Sequence, residues 1–260
     1  MFERRGKLAL INRKAADWIL IAGDLHGDLP VFRRIIASIG PRDLAIFLGD
    51  YADRGPSGLE VLEGLFEAMR TFKGRILPLK GNHESFTPEG KPRFYPCTLI
   101  PEAGRKGRDW KEFFGVAGPF FESLPIAAIL PGFALLVHGG ISQSVTSPAI
   151  IEEPAPEIEN DILWSDPGAL PGQHPNPRGI GLRFGPDITE MVLQAFGVTY
   201  LIRSHEPRKA ADGPYFEHEN RVVTTSATGI YGGRPFALVL NGERLPKSPE
   251  ELSGCVEYLD

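Results

Sequence analysis

The chain has 260 residues, 42% of them apolar and 23% charged, a balance that buries a sizeable core and excludes both a disordered and a membrane-embedded protein. Its formal charge of −5 gives no general attraction to nucleic acid or to anionic membrane surfaces, so neither is expected as a partner. Cys97 and Cys255 lie far apart and outside any Cys-x-x-Cys spacing, which argues against a disulfide framework or a thiolate metal site.

In chain order, the apolar patch at 8–11 is too short for a signal-peptide core, and no run approaches the roughly 20 residues that span a bilayer. The expectation is a cytoplasmic protein. Buried strands are predicted at 18–22, 44–48, 76–79, 126–130, 133–137, 200–202, 222–225 and 236–240, each a short apolar run and many of them rich in β-branched or aromatic residues. Val31, Phe32, Ile35, Ile36 and Ile39 mark one amphipathic helix, closed by Gly40-Pro41. Leu62, Leu65, Phe66 and Met69 mark a second, and a third is expected at 187–196, before Gly197. Strand and helix alternate in the first half and strands dominate the last quarter, which predicts an α/β (α+β) fold of sheets covered by helices. Residues 148–178 are crowded with proline and read as a long ordered loop or linker. No shift in composition divides the chain, so residues 1–260 are read as a single domain.

Five of the strands run into polar clusters. These are Gly23-Asp24-Leu25-His26-Gly27, Gly49-Asp50-Tyr51-Ala52-Asp53-Arg54-Gly55, Gly81-Asn82-His83-Glu84, His138-Gly139-Gly140 and Arg203-Ser204-His205-Glu206. Residues i and i+2 at a strand end project to the same side, so Asp24 and His26 can reach one ion together. Four of the six histidines fall in these clusters. One such cluster means little, but five after five buried strands point to a site at the carboxyl ends of the strands, where ligands of open α/β sheets gather. Carboxylate, imidazole and amide oxygen, with no thiolate, suit Mn²⁺, Fe or Zn²⁺, and a carboxylate such as Asp50 can bridge two ions. Two-metal sites, with ions about 3.5–4 Å apart, activate water and clamp a phosphoryl group for in-line attack. The residues therefore read as a metal-dependent phosphomonoester hydrolase.

In this order the five clusters resemble the signature series of the phosphoprotein phosphatase (PPP) family of metallophosphatases. Residues 124–129, Leu163-Trp164-Ser165-Asp166-Pro167 and Arg178-Gly179-Ile180-Gly181 are similar to its protein serine/threonine phosphatase branch. The resemblance covers about residues 19–240 and implies a calcineurin-like fold, a two-sheet β-sandwich flanked by helices. It implies two divalent ions, Mn²⁺ first with Fe or Zn as alternatives. Asp24, His26 and the bridging Asp50 would hold the first; Asp50, Asn82, His138 and His205 the second. A metal-bridging hydroxide would attack directly, with no phosphoenzyme. His83 would be the general acid, and Asp53 would pair with it and favour its charged form. Arg54 and Arg178 would grip the phosphate oxygens. The implied substrate is a phosphorylated protein or peptide, and a monomer is favoured.

The chain departs from the family in two places. The family's Ser-Ala-Pro-Asn-Tyr-Cys-Gly loop is matched by residues 226–232, with Tyr231 in the tyrosine's place at a spacing one residue different and no cysteine. Residues 86–108, rich in Pro, Gly and basic side chains, look unlike the family's helix-forming segment. Glu84, Trp164 and Asp166 are read as structural, Arg203 as support for its strand end, and His174 and His218 as solvent-facing. Three readings compete with a serine/threonine phosphatase. One is a small-molecule hydrolase on the same scaffold, acting on dinucleoside polyphosphates or nucleotides; the others are a phosphotyrosine-directed enzyme and an inactive scaffold that only binds phosphorylated partners.

Overall fold

The computed structural model describes residues 1–260. Its larger sheet has seven strands in the order β1 (Phe2–Arg5), β2 (Leu8–Ile11), β6 (Ala127–Leu130), β7 (Ala134–Val137), β11 (Tyr200–Arg203), β13 (Val222–Thr224) and β12 (Tyr215–Glu217). The second has five, in the order β15 (Val256–Tyr258), β14 (Phe236–Asn241), β3 (Trp18–Ala22), β4 (Leu44–Phe47) and β5 (Ile76–Pro78). A small three-stranded sheet joins β8 (Asp166–Pro167), β10 (Leu182–Phe184) and β9 (Gln173–Pro175).

Side-chain alternation along each strand assembles the layers. Ile19 and Ile21 of β3 meet Leu136 of β7 and Ile202 of β11 between the two sheets. Leu20 and Ala22 point the other way, onto α1 (Leu29–Ser38) and α2 (Gly58–Thr71). On the far side, Leu135, Val137 and Leu201 lie under α6 (Pro156–Trp164) and α7 (Pro186–Phe196). The result is helix, sheet, sheet, helix, the flanked two-sheet sandwich expected from the sequence. Both faces of the central strands are buried, so they read as unbroken apolar runs. Truncating a residue such as Leu136, fully buried between the sheets, to alanine would cost about 2–5 kcal/mol.

β3, β4 and β5 are mutually parallel, and so are β7, β11 and β13. The first set is joined by crossover helices. The Asp28 side chain caps α1 by accepting from the Val31 N–H at 3.3 Å, and Pro30 occupies its first turn. α7 stops where Gly197 turns left-handed at φ 62°.

All eight expected strands and all three helices are present, with ends shifted by a residue or so. Other segments are corrected. Residues 2–11 form the β1–β2 hairpin at the edge of the large sheet. Residues 148–178 are no linker: they hold α5 (Pro148–Glu152), α6, β8 and β9, and Pro148 and Pro156 begin helices because a first-turn residue needs no N–H partner. Residues 86–108 contain α3 (Leu99–Arg105), and α4 (Trp110–Ser123) follows despite Pro119 in its middle, anchored by the stack of Phe86 on Trp110, Phe114 and Phe121. α8 (Pro249–Ser253) precedes the last strand. His218 is not solvent-facing: its Nε2 donates to Gly168 O at 2.9 Å and its Nδ1 lies 2.7 Å from Thr189 Oγ1. His174 is half-buried, donating to Pro171 O.

Candidate metal centre

The residues that follow β3, β4, β5, β7 and β11 meet at one end of the sandwich. The chain breaks sharply after each strand. His26, Asp50, Asp53, Arg54 and His205 all take left-handed backbone with φ between 48° and 70°, rare for residues with a Cβ. Glycine is required where two strand ends touch: a Cβ on Gly49 would lie 2.4 Å from Gly81 N, and one on Gly81 2.4 Å from Asp50 N.

Asp24, His26, Asp50, Asn82, His138 and His205 are all buried. His26 Nδ1 donates to Ala52 O at 3.1 Å, which leaves Nε2 as a bare lone pair facing Asp24 Oδ2 and Asp50 Oδ2, each at 3.5 Å. Likewise His138 Nδ1 donates to Leu48 O at 2.9 Å, so its Nε2 faces Asn82 Oδ1 at 2.8 Å, His205 Nδ1 at 3.1 Å and Asp50 Oδ1 at 3.4 Å. Asp50 thus turns one oxygen to each group. Asp24 Oδ1 is tied to Ser204 Oγ and to the His205 N–H, whereas Asp24 Oδ2 and His205 Nε2 are buried without a hydrogen-bond donor.

This arrangement is a test of whether metal fits. Buried lone pairs that face one another without a shared proton repel, and buried polar atoms without partners are costly. Burial, with Asp24 and Glu84 close by, pushes the Asp50 carboxyl well above its ordinary range. Cations in the two groups answer each of these costs, and oxygen and imidazole donors suit such ions. The donor atoms gather in two groups that share Asp50: His26, Asp50 and His83 in one, and Asp50, His138 and His205 in the other, with Asp24 Oδ2 beside the first at 3.5 Å from His26 Nε2 and Asn82 Oδ1 beside the second at 2.8 Å from His138 Nε2.

His83 and Asp53 adjoin this cluster. Asp53 Oδ2 lies 3.0 Å from His83 Nδ1, and Asp53 Oδ1 accepts from the Leu99 N–H at 2.8 Å and from Thr98 N–H. Burial raises the Asp53 carboxyl, but His83 and these amides outweigh it and hold its pKa below the usual value. Burial lowers the His83 pKa to about 4, while Asp53 pulls it up, towards the charged form. Nδ1 is committed to Asp53, and Nε2 lies 3.9 Å from Asp50 Oδ2.

A cavity of about 780 Å³ opens over these groups, and Arg54, Arg178 and Tyr231 line it. Arg54 is anchored through its backbone N–H to Thr98 Oγ1 at 2.9 Å. Arg178 Nε donates to Asp166 Oδ2 at 2.7 Å. The Tyr231 ring packs edge-on to His26 at 5.4 Å, and burial pushes its phenol up to about 12, so the hydroxyl keeps its proton.

Three supports escaped the sequence reading as parts of the site. Glu84 accepts from the backbone N–H groups of Asp50 at 2.9 Å, Tyr51 at 3.1 Å and Gly81 at 2.8 Å, so it fixes the loop that carries the shared carboxylate. Ser204 holds Asp24. Asp166 binds Arg178 through one oxygen and Arg203 through the other, which makes it more than a loop anchor. Position beside a ligand was the available signal for Glu84 and Ser204; for Asp166 it was the family resemblance of residues 163–167.

Residues 18–209 match the family model described as calcineurin-like phosphoesterase. The serine/threonine-protein phosphatase rdgC of Drosophila melanogaster is 31% identical over 94% of this chain and 40% of its own length. Serine/threonine-protein phosphatase 5 of Arabidopsis thaliana is 30% identical over 82% of this chain and 40% of its own. The chain thus spans less than half the length of these curated relatives. A solved protein serine/threonine phosphatase from Saccharomyces cerevisiae, with similarity to human PP5, superposes with a TM-score of 0.79 at 23% identity, covering 98% of this chain and 83% of that one, which supports the fold. By the family match and the sequence relatives, this chain belongs to the calcineurin-like phosphoesterases and, among them, to the phosphoprotein phosphatase family.

Proposed function

We propose that this protein is a metal-dependent phosphomonoester hydrolase that acts on phosphorylated serine or threonine in proteins. The observation that carries the chemistry is the pair of buried lone-pair clusters that share Asp50. Asp24, His26 and Asp50 would hold one divalent ion, and Asp50, Asn82, His138 and His205 the other, with Mn²⁺ the first candidate. When bound, the ions supply Lewis-acid charge that acidifies water and polarises the phosphoryl group.

The chain's own residues do the rest. Arg54 and Arg178 bind the non-bridging phosphoryl oxygens, a task suited to the forked guanidinium. Their charge is set where negative charge develops in the transition state. Asp53 fixes the His83 ring through Nδ1 and favours its charged form, in which Nε2 carries the proton that goes to the leaving oxygen. The protein-substrate part of the reading is supported by the phosphatase relatives and by the open cavity.

The test is a substrate panel with Mn²⁺ supplied: phosphoserine, phosphothreonine and phosphotyrosine peptides, p-nitrophenyl phosphate and dinucleoside polyphosphates. Highest kcat/KM on phosphoserine or phosphothreonine peptides is expected. Turnover confined to the dinucleotides, or none at all, would sink the proposal.

A further inference from the structure

One charged side chain at the cavity mouth takes no part in the fold or the chemistry above. Arg93 lines the metal-centre cavity and also a neighbouring groove of about 770 Å³; Trp164 and Ile180 border both, so Arg93 stands at the passage between them. The other charged groups of that groove are engaged. Lys80 bonds Glu122 at 3.0 Å and Glu159 at 2.8 Å, and Glu84 is held by backbone N–H groups. Arg93 is exposed, and its guanidinium has no carboxylate partner.

Its base is nevertheless fixed. The Arg93 N–H donates to Ser85 O at 2.9 Å, Thr87 N–H donates to Lys91 O at 2.8 Å, and Trp110 Nε1 donates to Gly90 O at 3.0 Å. Phe94, the next residue, is buried with its ring 4.3 Å from that of His83. A guanidinium held on a fixed loop, outside any salt bridge and with Glu89 acting on it only at longer range, suits an anion that arrives with the substrate. Arg54 and Arg178 already serve the phosphoryl group, so the anion for Arg93 is the next one along.

We propose that Arg93 is a specificity-determining residue that binds an acidic side chain of the substrate polypeptide beside the phosphorylated residue. The inference rests on the reading of this chain as a protein phosphatase.

The experiment compares kcat/KM on phosphopeptides identical except for glutamate, alanine or lysine flanking the phosphorylated residue. The wild type should favour glutamate over lysine by about 2–5-fold at low salt, the scale of one exposed guanidinium–carboxylate contact. The preference should shrink as salt rises. Arg93→Gln should bring the ratio near unity, and Arg93→Glu should invert it. Lys91→Gln, the same change of charge on the same loop but outside both cavities, should leave the ratio in place. A wild type without preference, or a ratio unmoved by Arg93→Glu, overturns the inference. So does an equal fall on all peptides and on p-nitrophenyl phosphate, which would put Arg93 on the phosphoryl group itself. Hydrolysis of p-nitrophenyl phosphate with no peptide turnover is a separate failure, overturning the protein-phosphatase reading and the inference with it.

Discussion

Asp166 accepts a hydrogen bond from Nη2 of Arg203 at 2.9 Å, at a depth where no part of the arginine reaches solvent. The same guanidinium bonds Gly139 O and, at 2.6 Å, Glu206 Oε2, so it ties the loop after β7 to the loop after β11. Both loops carry a metal-ligand candidate. Asp166→Ala removes one of two carboxylates from a buried charge and is expected to cost about 3 kcal/mol, the low end for breaking a buried pair because Glu206 remains. Urea unfolding should show a lower midpoint at unchanged slope. KM for p-nitrophenyl phosphate should also rise, since Arg178 loses its anchor.

Stability at acid pH should reflect the same carboxylate. Burial raises the Asp166 pKa, but Arg203 and Arg178 outweigh it and leave it below the ordinary value. A carboxyl depressed in the folded state contributes stability that is complete above its unfolded pKa, near 3.9. That contribution is lost as pH falls from there through the folded value. Denaturation curves from pH 6 to 2 should therefore fall less steeply below about pH 4 in Asp166→Asn than in the wild type.

Turnover and metal binding should separate at adjacent residues. His83→Asn is expected to retain the metals and slow turnover by roughly 10²–10⁴-fold, the usual contribution of a general acid. Asp53→Asn should give a smaller loss. Metal analysis of the purified variants, beside steady-state rates, checks both. An unchanged rate in His83→Asn would remove it from the acid's role.

Asp50 offers one oxygen to each donor cluster, so Asp50→Asn should lose activity and metal content together. Chelation of the wild type should lower Tm, and Mn²⁺ should restore it, because ligands that bind only the folded state stabilise it. A Tm insensitive to both chelator and Mn²⁺ would contradict the buried clusters.

Glu84 takes three backbone N–H groups around Asp50. Glu84→Gln replaces one acceptor with a donor among those amides. Loss of such outer supports commonly weakens metal affinity about 10–100-fold. Titration of the metal-free variant with Mn²⁺ measures it directly.

The strands were legible because burial on both faces writes them as apolar runs, and the ligand candidates because each follows such a run, all but His205 within a glycine-bearing cluster. What stayed hidden depends on partners distant in sequence. Asp166 and Arg203 are 37 residues apart, and nothing local to 163–167 announces their contact. Helices α3 to α6 were obscured where prolines, elsewhere a sign of loops, open a first turn or sit inside a helix packed on aromatic rings. The two influences on His83 divide in the same way: the partner Asp53, which raises its pKa, is visible in the sequence, and the burial that lowers it is not.

The left-handed backbone at His26, Asp50, Asp53, Arg54 and His205 bears on how such a protein can be improved in the laboratory. Glycine would relieve each position of about 1–2 kcal/mol of steric cost. A library screened for heat resistance alone would be drawn towards glycine at these sites, and the survivors would be sturdier proteins without a reaction to perform. Ordinary alanine scanning keeps the Cβ and the strain, so it reports lost chemistry. Glycine variants of the same residues would report how much folding stability the intact centre forgoes.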